Sequence, residues 1–241
     1  MAKERIDKLI ASQGKYSRSQ VKDLVRKGMV RVNGERIRAS DHKADPDEDQ
    51  IQISSQRLQF KKHLYIMLNK PKGVVSATED RRMKTVLDLL PEALRRRNLF
   101  PAGRLDRDTE GFVLITDDGE FAHRILSPKN HIPKTYEAEI DGPVDDELIR
   151  RFHQGVSLGG DTLCRPAELR ILRDAEHPYV QITICEGMYH QIKRMFEAFG
   201  RRVLALKRVR MGALALDDAL KPGECRELTP NEVGLICMKR L

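Results

Sequence analysis

Leu64-Tyr65-Ile66-Met67-Leu68 and Phe112-Val113-Leu114-Ile115-Thr116 are nearly unbroken apolar runs, each beside charged residues. Runs this short, rich in branched and aromatic side chains, read as strands buried on both faces, so the chain must supply cover for both sides of a sheet. Further strands are expected at 135–140, 179–185 and 203–207, and helices at 85–90, 120–126, 145–153 and 189–199. Their spacing is irregular and no strand-helix-strand unit repeats. That pattern favours an α+β sheet with inserted helices over a doubly wound fold. A chain of 241 residues accommodates one or two domains, here a small appendage beside a larger body.

The appendage is the first 60 residues. Ile6, Leu9 and Ile10 form one helical stripe and Val21, Leu24 and Val25 another. Ser17 is placed to cap the second helix and Gly28 to end it. Arg18, Lys22 and Arg26 recur every four residues, so they share one face away from the apolar stripe, a face able to grip phosphates. Val30 and Val32 then lead to Asn33-Gly34, a strong hairpin signal. The acidic stretch Asp45-Pro46-Asp47-Glu48-Asp49 has Gln50 where a calcium loop needs glycine and Gln56 where it needs glutamate, and reads as a solvated turn. A linker near 56–62 follows.

Charge is unevenly distributed. Residues 1–40 hold 11 Lys and Arg against 4 Asp and Glu, and residues 61–100 hold 10 against 4, whereas residues 101–241 hold 21 against 23. Residues 41–60 reverse the sign, with 2 against 5, but the positive charge is still concentrated in the first hundred residues and points to a polyanion partner. The segment from Arg5-Ile6-Asp7-Lys8-Leu9-Ile10 through Ser17-Arg18 to Gly28-Met29-Val30-Arg31-Val32-Asn33-Gly34 resembles an S4 RNA-binding domain. Candidate RNA contacts in it are Arg5, Lys8, Arg18, Lys22 and Arg26. S4 modules occur in proteins of several activities, so the chemistry must be sought beyond residue 60.

Three local patterns carry it. Gly103-Arg104-Leu105-Asp106-Arg107-Asp108-Thr109-Glu110-Gly111 mounts a carboxylate, Asp106, in a short charged loop directly ahead of an apolar strand, between glycines that permit unusual backbone angles. Asp108 is expected to order this loop through a backbone amide or an arginine. In Lys134-Thr135-Tyr136-Glu137-Ala138-Glu139-Ile140, alternation turns Tyr136, Ala138 and Ile140 to the inner face. Lys193, in Gly187-Met188-Tyr189-His190-Gln191-Ile192-Lys193-Arg194-Met195-Phe196, sits at the edge of a helical stripe formed by Ile192, Met195, Phe196 and Phe199.

Together these patterns resemble the three active-site motifs of the pseudouridine synthases, and most closely the RsuA-like group that acts on small-subunit ribosomal RNA. The resemblance spans essentially the whole chain, including Asn69-Lys70-Pro71-Lys72-Gly73-Val74, Ser127-Pro128-Lys129-Asn130-His131, Met211-Gly212 and Leu228-Thr229. It implies an S4 domain at 1–60 and a catalytic domain at 61–241 built on a mainly antiparallel, bisected sheet with the cleft across its middle. It also implies catalytic roles for three residues: Asp106 as nucleophile, Tyr136 stacked on the target base, and Lys193 paired with the carboxylate. An aspartate entering a dry pocket tends to gain a proton, and a cation within about 4–6 Å opposes that. Arg104, Arg107 and Arg194 join the candidate RNA contacts, Arg104 as the side chain that fills the space left by an extruded base.

The implied reaction isomerises one uridine of ribosomal RNA, in 16S RNA at the uridine-516 type of site, without metal or organic cofactor. Whether the carboxylate attacks the sugar, attacks C6 or removes a ribose proton is left open by the residues. The implied partner is ribosomal RNA in a small-subunit assembly intermediate, bound by a monomer. A 23S RNA enzyme of the same family, a non-catalytic S4 assembly factor and an S4-bearing RNA methyltransferase are the alternatives. The chain lacks a phosphate-binding Gly-x-x-x-x-Gly-Lys-Ser/Thr loop and a Gly-x-Gly-x-x-Gly fingerprint. Four cysteines spaced 21, 40 and 12 apart fit no zinc pattern and read as small buried hydrophobes. With no apolar leader and no run long enough to cross a bilayer, a cytoplasmic location is expected.

Overall fold

A computed structural model describes residues 3–96, 98–160 and 162–238. The chain divides into two compact units, Met1–Leu64 with Pro91–Leu99, and Tyr65–Leu90 with Phe100–Leu241.

In the first unit, helices Ile6–Ser12 and Arg18–Arg26 pack on a four-stranded sheet whose strands run in the order Glu35–Arg36, Val30–Val32, Ile51–Ile53, Gln56–Arg57. Ser17 caps the second helix as expected, its hydroxyl accepting from the Gln20 amide while the Gln20 side chain accepts from the Ser17 amide. Gly28 follows at φ +72°, and Asn33 and Gly34 turn the hairpin at φ +52° and +84°. The core joins Ile6, Leu9 and Ile10 to Val21, Val25, Val30 and Ile51. The acidic turn is less solvated than its composition suggests: Asp45 is buried, and Asp49 accepts from the Asp45 amide and the Asn33 side chain, which holds its carboxyl below the usual range. Pro91–Leu99 belongs to this unit because the Arg96 guanidinium donates to the carbonyls of Ser12 (2.6 Å) and Lys61 (2.9 Å).

The second unit is built on one long sheet. Its strands follow the order Glu168–Arg173, Tyr179–Ile184, Lys134–Ile140, Val203–Met211, Glu110–Thr116, Tyr65–Lys70, Cys225–Glu227. Every neighbouring pair is antiparallel except Val203–Met211 beside Glu110–Thr116, which run parallel over two register pairs, Lys207 with Glu110 and Arg208 with Gly111. This short parallel seam divides the sheet into halves, so the fold is α+β with a mainly antiparallel, bisected sheet. Gly111 makes the seam possible. At φ +100° it brings its backbone so close to Arg208 that a Cβ would lie 2.3 Å from the Arg208 carbonyl oxygen.

The two apolar runs fall in adjacent strands, Tyr65–Lys70 and Glu110–Thr116, and both are buried on both faces. One core gathers Met67, Phe112 and Leu114 with Phe121, Ala122 and Ile125 of helix Gly119–Leu126 and Ile236 of helix Pro230–Ile236. Elsewhere Phe152 of helix Asp146–Gln154 meets Phe196 of helix Gln191–Glu197, with ring centroids 4.8 Å apart. The helix expected at 85–90 is only the single turn Leu87–Leu89, because the Asp88 carboxylate accepts from the Thr85 amide and hydroxyl and closes the turn locally. Of the four cysteines only Cys164 is fully buried.

Candidate active site

The residue 105–109 loop enters the seam strand and is fastened from one side by residues 70–76. Lys70, with no exposed surface, donates to the carbonyls of Thr109 (2.8 Å), Pro71 (3.0 Å) and Arg107 (3.3 Å). The Gly73 amide also donates to Arg107, and the Ser76 hydroxyl bonds both the carbonyl and the amide of Leu105. The Thr109 amide closes the turn on the Asp106 carbonyl. Burial pushes Lys70 down to about 8, against the pull of Asp108, Glu110 and Asp106.

Asp106 points from this fastened loop toward helix Gln191–Glu197 with 31% of its side chain exposed. Its Oδ2 lies 3.5 Å from Lys193 Nζ and its Oδ1 3.4 Å from His190 Nε2. Lys193 is nearer still to Asp108, at 2.6 Å, so one ammonium spans two carboxylates. Asp108 therefore orders the loop chiefly through a lysine, with a smaller contribution from its own backbone amide. The Lys193 hydrogen bond holds its carboxyl below the usual range. Local pattern could not show this pairing, because the lysine arrives from 85 residues downstream.

Tyr136 is buried on the inner face of its strand, as alternation requires. Its ring lies 6.0 Å below the Arg208 guanidinium, and Arg208 Nη1 stands 3.5 Å from its hydroxyl. Arg208 Nε donates to the Phe112 carbonyl at 2.7 Å, so this arginine ties Tyr136 to the strand that follows the Asp106 loop. Thus Asp106 and Lys193 meet directly, whereas Tyr136 is linked through Arg208 to the strand that follows the Asp106 loop. Lys134, also buried, donates to the Ile132 carbonyl, and burial with the nearby Arg208 charge pushes it down to about 8.

Sequence reasoning did not place Arg208, Lys70 or Lys134 in the site, and it read His190 as an RNA contact or a structural residue, not as a partner of Asp106. Little in the sequence marks Arg208, because the alternating set Leu204, Leu206, Arg208 and Arg210 mixes apolar with charged residues and only Leu206 and Arg208 of that set are buried.

Among the candidate RNA contacts, Arg5, Lys22 and Arg26 line one open groove of the first unit together with Arg36 and Arg38, which the sequence reading did not select. Arg18 and Lys8 do not line it; Lys8 pairs with Glu4 at 2.6 Å. Arg5 and Arg26 hold Asp7 and Asp23 at 2.9 and 2.6 Å. Arg104 and Arg107 are exposed in the Asp106 loop, and Arg194 donates to the Leu158 carbonyl.

Comparison with known proteins places these features in context. The family of RNA pseudouridylate synthases matches residues 64–198, and the S4 domain matches residues 4–49. An uncharacterized RNA pseudouridine synthase of Bacillus subtilis is 45% identical over 96% of this chain and 98% of its own length. The ribosomal small subunit pseudouridine synthase A of Escherichia coli is 42% identical over 96% of this chain and 99% of its own. A crystal structure of a pseudouridylate synthase superposes with a TM-score of 0.67 at 38% identity, covering 97% of this chain and 99% of the other.

Proposed function

Because this chain belongs to the RNA pseudouridylate synthase family, we propose that it isomerises a uridine of 16S ribosomal RNA, at the uridine-516 type of site, with Asp106 as nucleophile. The observation that carries the reading is the fastened Asp106 carboxylate, 3.5 Å from the Lys193 ammonium and 3.4 Å from the His190 imidazole. A carboxylate beside a cation on a fastened loop suits a nucleophile, since its loop keeps it aimed. The choice of 16S RNA rests on the full-length similarity to small-subunit enzymes.

In this mechanism the bond between ribose C1′ and uracil N1 breaks with help from Asp106, the base turns, and C5 bonds to C1′. N1 gains a proton and C5 loses one, so the reaction balances without a co-reactant. Tyr136 stacks on the turning base, and Lys193 neutralises the carboxylate. Extruding a paired uridine costs a few kcal/mol, which favours loops and bulges as targets. Arg104 occupies the space the base leaves, while Arg107 and Arg194 meet the flanking backbone. Residues 1–60 serve as the S4 RNA-binding domain and residues 61–241 as the catalytic domain. Arg5, Lys8, Arg18, Lys22 and Arg26 contact RNA of a small-subunit assembly intermediate, and the enzyme acts as a monomer.

Release of tritium from RNA labelled at uridine C5 tests the chemistry. The wild type should release it without a methyl donor, and Asp106→Asn should not. Pseudouridine mapping in cells lacking the protein tests the target: one vanished 16S site supports the reading, a vanished 23S site moves it to the large subunit, and an unchanged map refutes it.

A further inference from the structure

Tyr189 is the most exposed large apolar side chain among the described residues, at 76%, and the one aromatic among those exposed. Exposure of this kind ordinarily marks a loose side chain, but here the ring is held. It stacks on His190 with centroids 3.9 Å apart and planes 15° from parallel. The loop beneath is clamped by the buried Gln191, whose side chain accepts from the Met188 amide (3.0 Å) and donates to Glu186 (2.6 Å). His190 in turn sits 3.4 Å from Asp106. One face of the Tyr189 ring is therefore covered by imidazole, the other is open, and the pair forms a fixed aromatic step leading outward from the candidate nucleophile.

We propose that Tyr189 is a stacking platform for a nucleobase immediately beside the target uridine. The inference rests on the isomerase reading for the identity of its substrate. Its physical basis is the cost of extrusion: removing a uridine from its stack leaves the neighbouring base without a partner on one side. An open aromatic face close to the carboxylate replaces that partner, whereas Tyr136 is buried and can serve only a base that has entered the site. Because the ring already rests on His190 above a loop fixed by Gln191, stacking costs little further side-chain ordering. Recognition by stacking tolerates any base, and a purine, with its larger face, should bind best.

The test measures binding of the full chain to a labelled hairpin oligoribonucleotide carrying the candidate uridine in its loop. The base on either side of that uridine is intact or replaced by an abasic nucleotide, one side at a time. Tyr189→Ala should weaken binding of the intact hairpin by about 5- to 150-fold. Tyr189→Phe and Tyr189→Trp should stay within about threefold of wild type, because stacking depends on the ring and not on the hydroxyl. For one of the two neighbours, the abasic substitution should cost wild type a similar factor and cost Tyr189→Ala almost nothing. An abasic penalty equal in both proteins would overturn the platform, as would Tyr189→Ala binding within about twofold of wild type. Tritium release is followed in parallel. If wild type binds with the expected Tyr189 dependence yet releases no tritium from the hairpin or from labelled assembling subunits, the platform stands and the isomerase reading falls.

Discussion

Gly111→Ala is the substitution with the most sharply defined cost. Gly111 lies in the parallel seam, where its partner Arg208 is the nearest residue of the other half-sheet. An alanine Cβ would stand 2.3 Å from the Arg208 carbonyl oxygen, 2.9 Å from its nitrogen and 2.9 Å from Lys207 Cγ. Backbone atoms in a paired strand cannot step aside as a flexible side chain can, so the strands must separate. Overpacking of this kind costs about 1–3 kcal/mol, and a non-glycine residue held at φ +100° adds about 1–3 kcal/mol of strain. Together they predict a destabilisation of about 2–6 kcal/mol. Gly73→Ala is the control, because Gly73 has φ +87° but nothing within 4 Å of its would-be Cβ; it should cost the strain alone. Urea denaturation followed by far-UV circular dichroism reads both, and with a slope of about 2–3 kcal/mol/M Gly111→Ala should lower the midpoint by about 1 M or more. Amide exchange in 110–116 and 203–211 should accelerate in the same variant. If Gly111→Ala were no less stable than Gly73→Ala, close approach at the seam would not be what glycine supplies.

Three further outcomes are expected. Lys193→Met should lower tritium release by about 100-fold or more while shifting stability by no more than about 1 kcal/mol, since the ammonium meets partly exposed carboxylates; near-wild-type turnover would remove Lys193 from the site. Arg36→Ala with Arg38→Ala should weaken RNA binding and reduce the slope of log K against log salt by about 0.7–0.9 for each phosphate no longer neutralised, and an unchanged slope would show that this groove does not meet the backbone. Lys134 provides a pH signature: burial takes it from 10.5 to about 8, so the unfolded chain binds more protons than the native one between those values. Stability contributed by this group therefore rises with pH from about 8 to 10.5, by at most about 3 kcal/mol, and Lys134→Met should flatten that rise in denaturation series; an unchanged pH dependence would refute the assignment.

Much of the fold was legible because the governing signals are local. Apolar runs announced two adjacent interior strands of the sheet, alternation turned Tyr136 inward, and Ser17, Gly28 and Asn33-Gly34 punctuated the first unit where they were expected. Strand Glu168–Arg173 escaped notice because from Arg170 to Arg173 its side chains are all exposed, leaving an edge with little apolar pattern to read. Helix Pro230–Ile236 has a capping box between Thr229 and Glu232 but only one fully buried side chain, Ile236, so its stripe is weak. Return of Pro91–Leu99 to the first unit depends on Arg96 donating to two distant carbonyls, a tertiary event with no periodicity at all.

The same division explains the site. Asp106, Tyr136 and Lys193 could be selected because their segments resemble the three active-site motifs of the family, but what arranges them is contributed by residues that look ordinary in sequence. Lys70, Lys134 and Arg208 are cations buried in one unit, a placement that costs free energy unless each finds acceptors. Lys70 meets its cost with the Arg107 and Thr109 carbonyls of the Asp106 turn and the Pro71 carbonyl of its own segment, and Arg208 meets part of its own with the Phe112 carbonyl and the Tyr136 hydroxyl. The groups that satisfy these two buried charges are thus the backbone and side chain they position. Removing either cation would release a part of the site while relieving a desolvation cost, so the loss should fall more heavily on catalysis than on stability. That asymmetry separates a buried cation retained for placing reactive groups from one retained for holding the fold together.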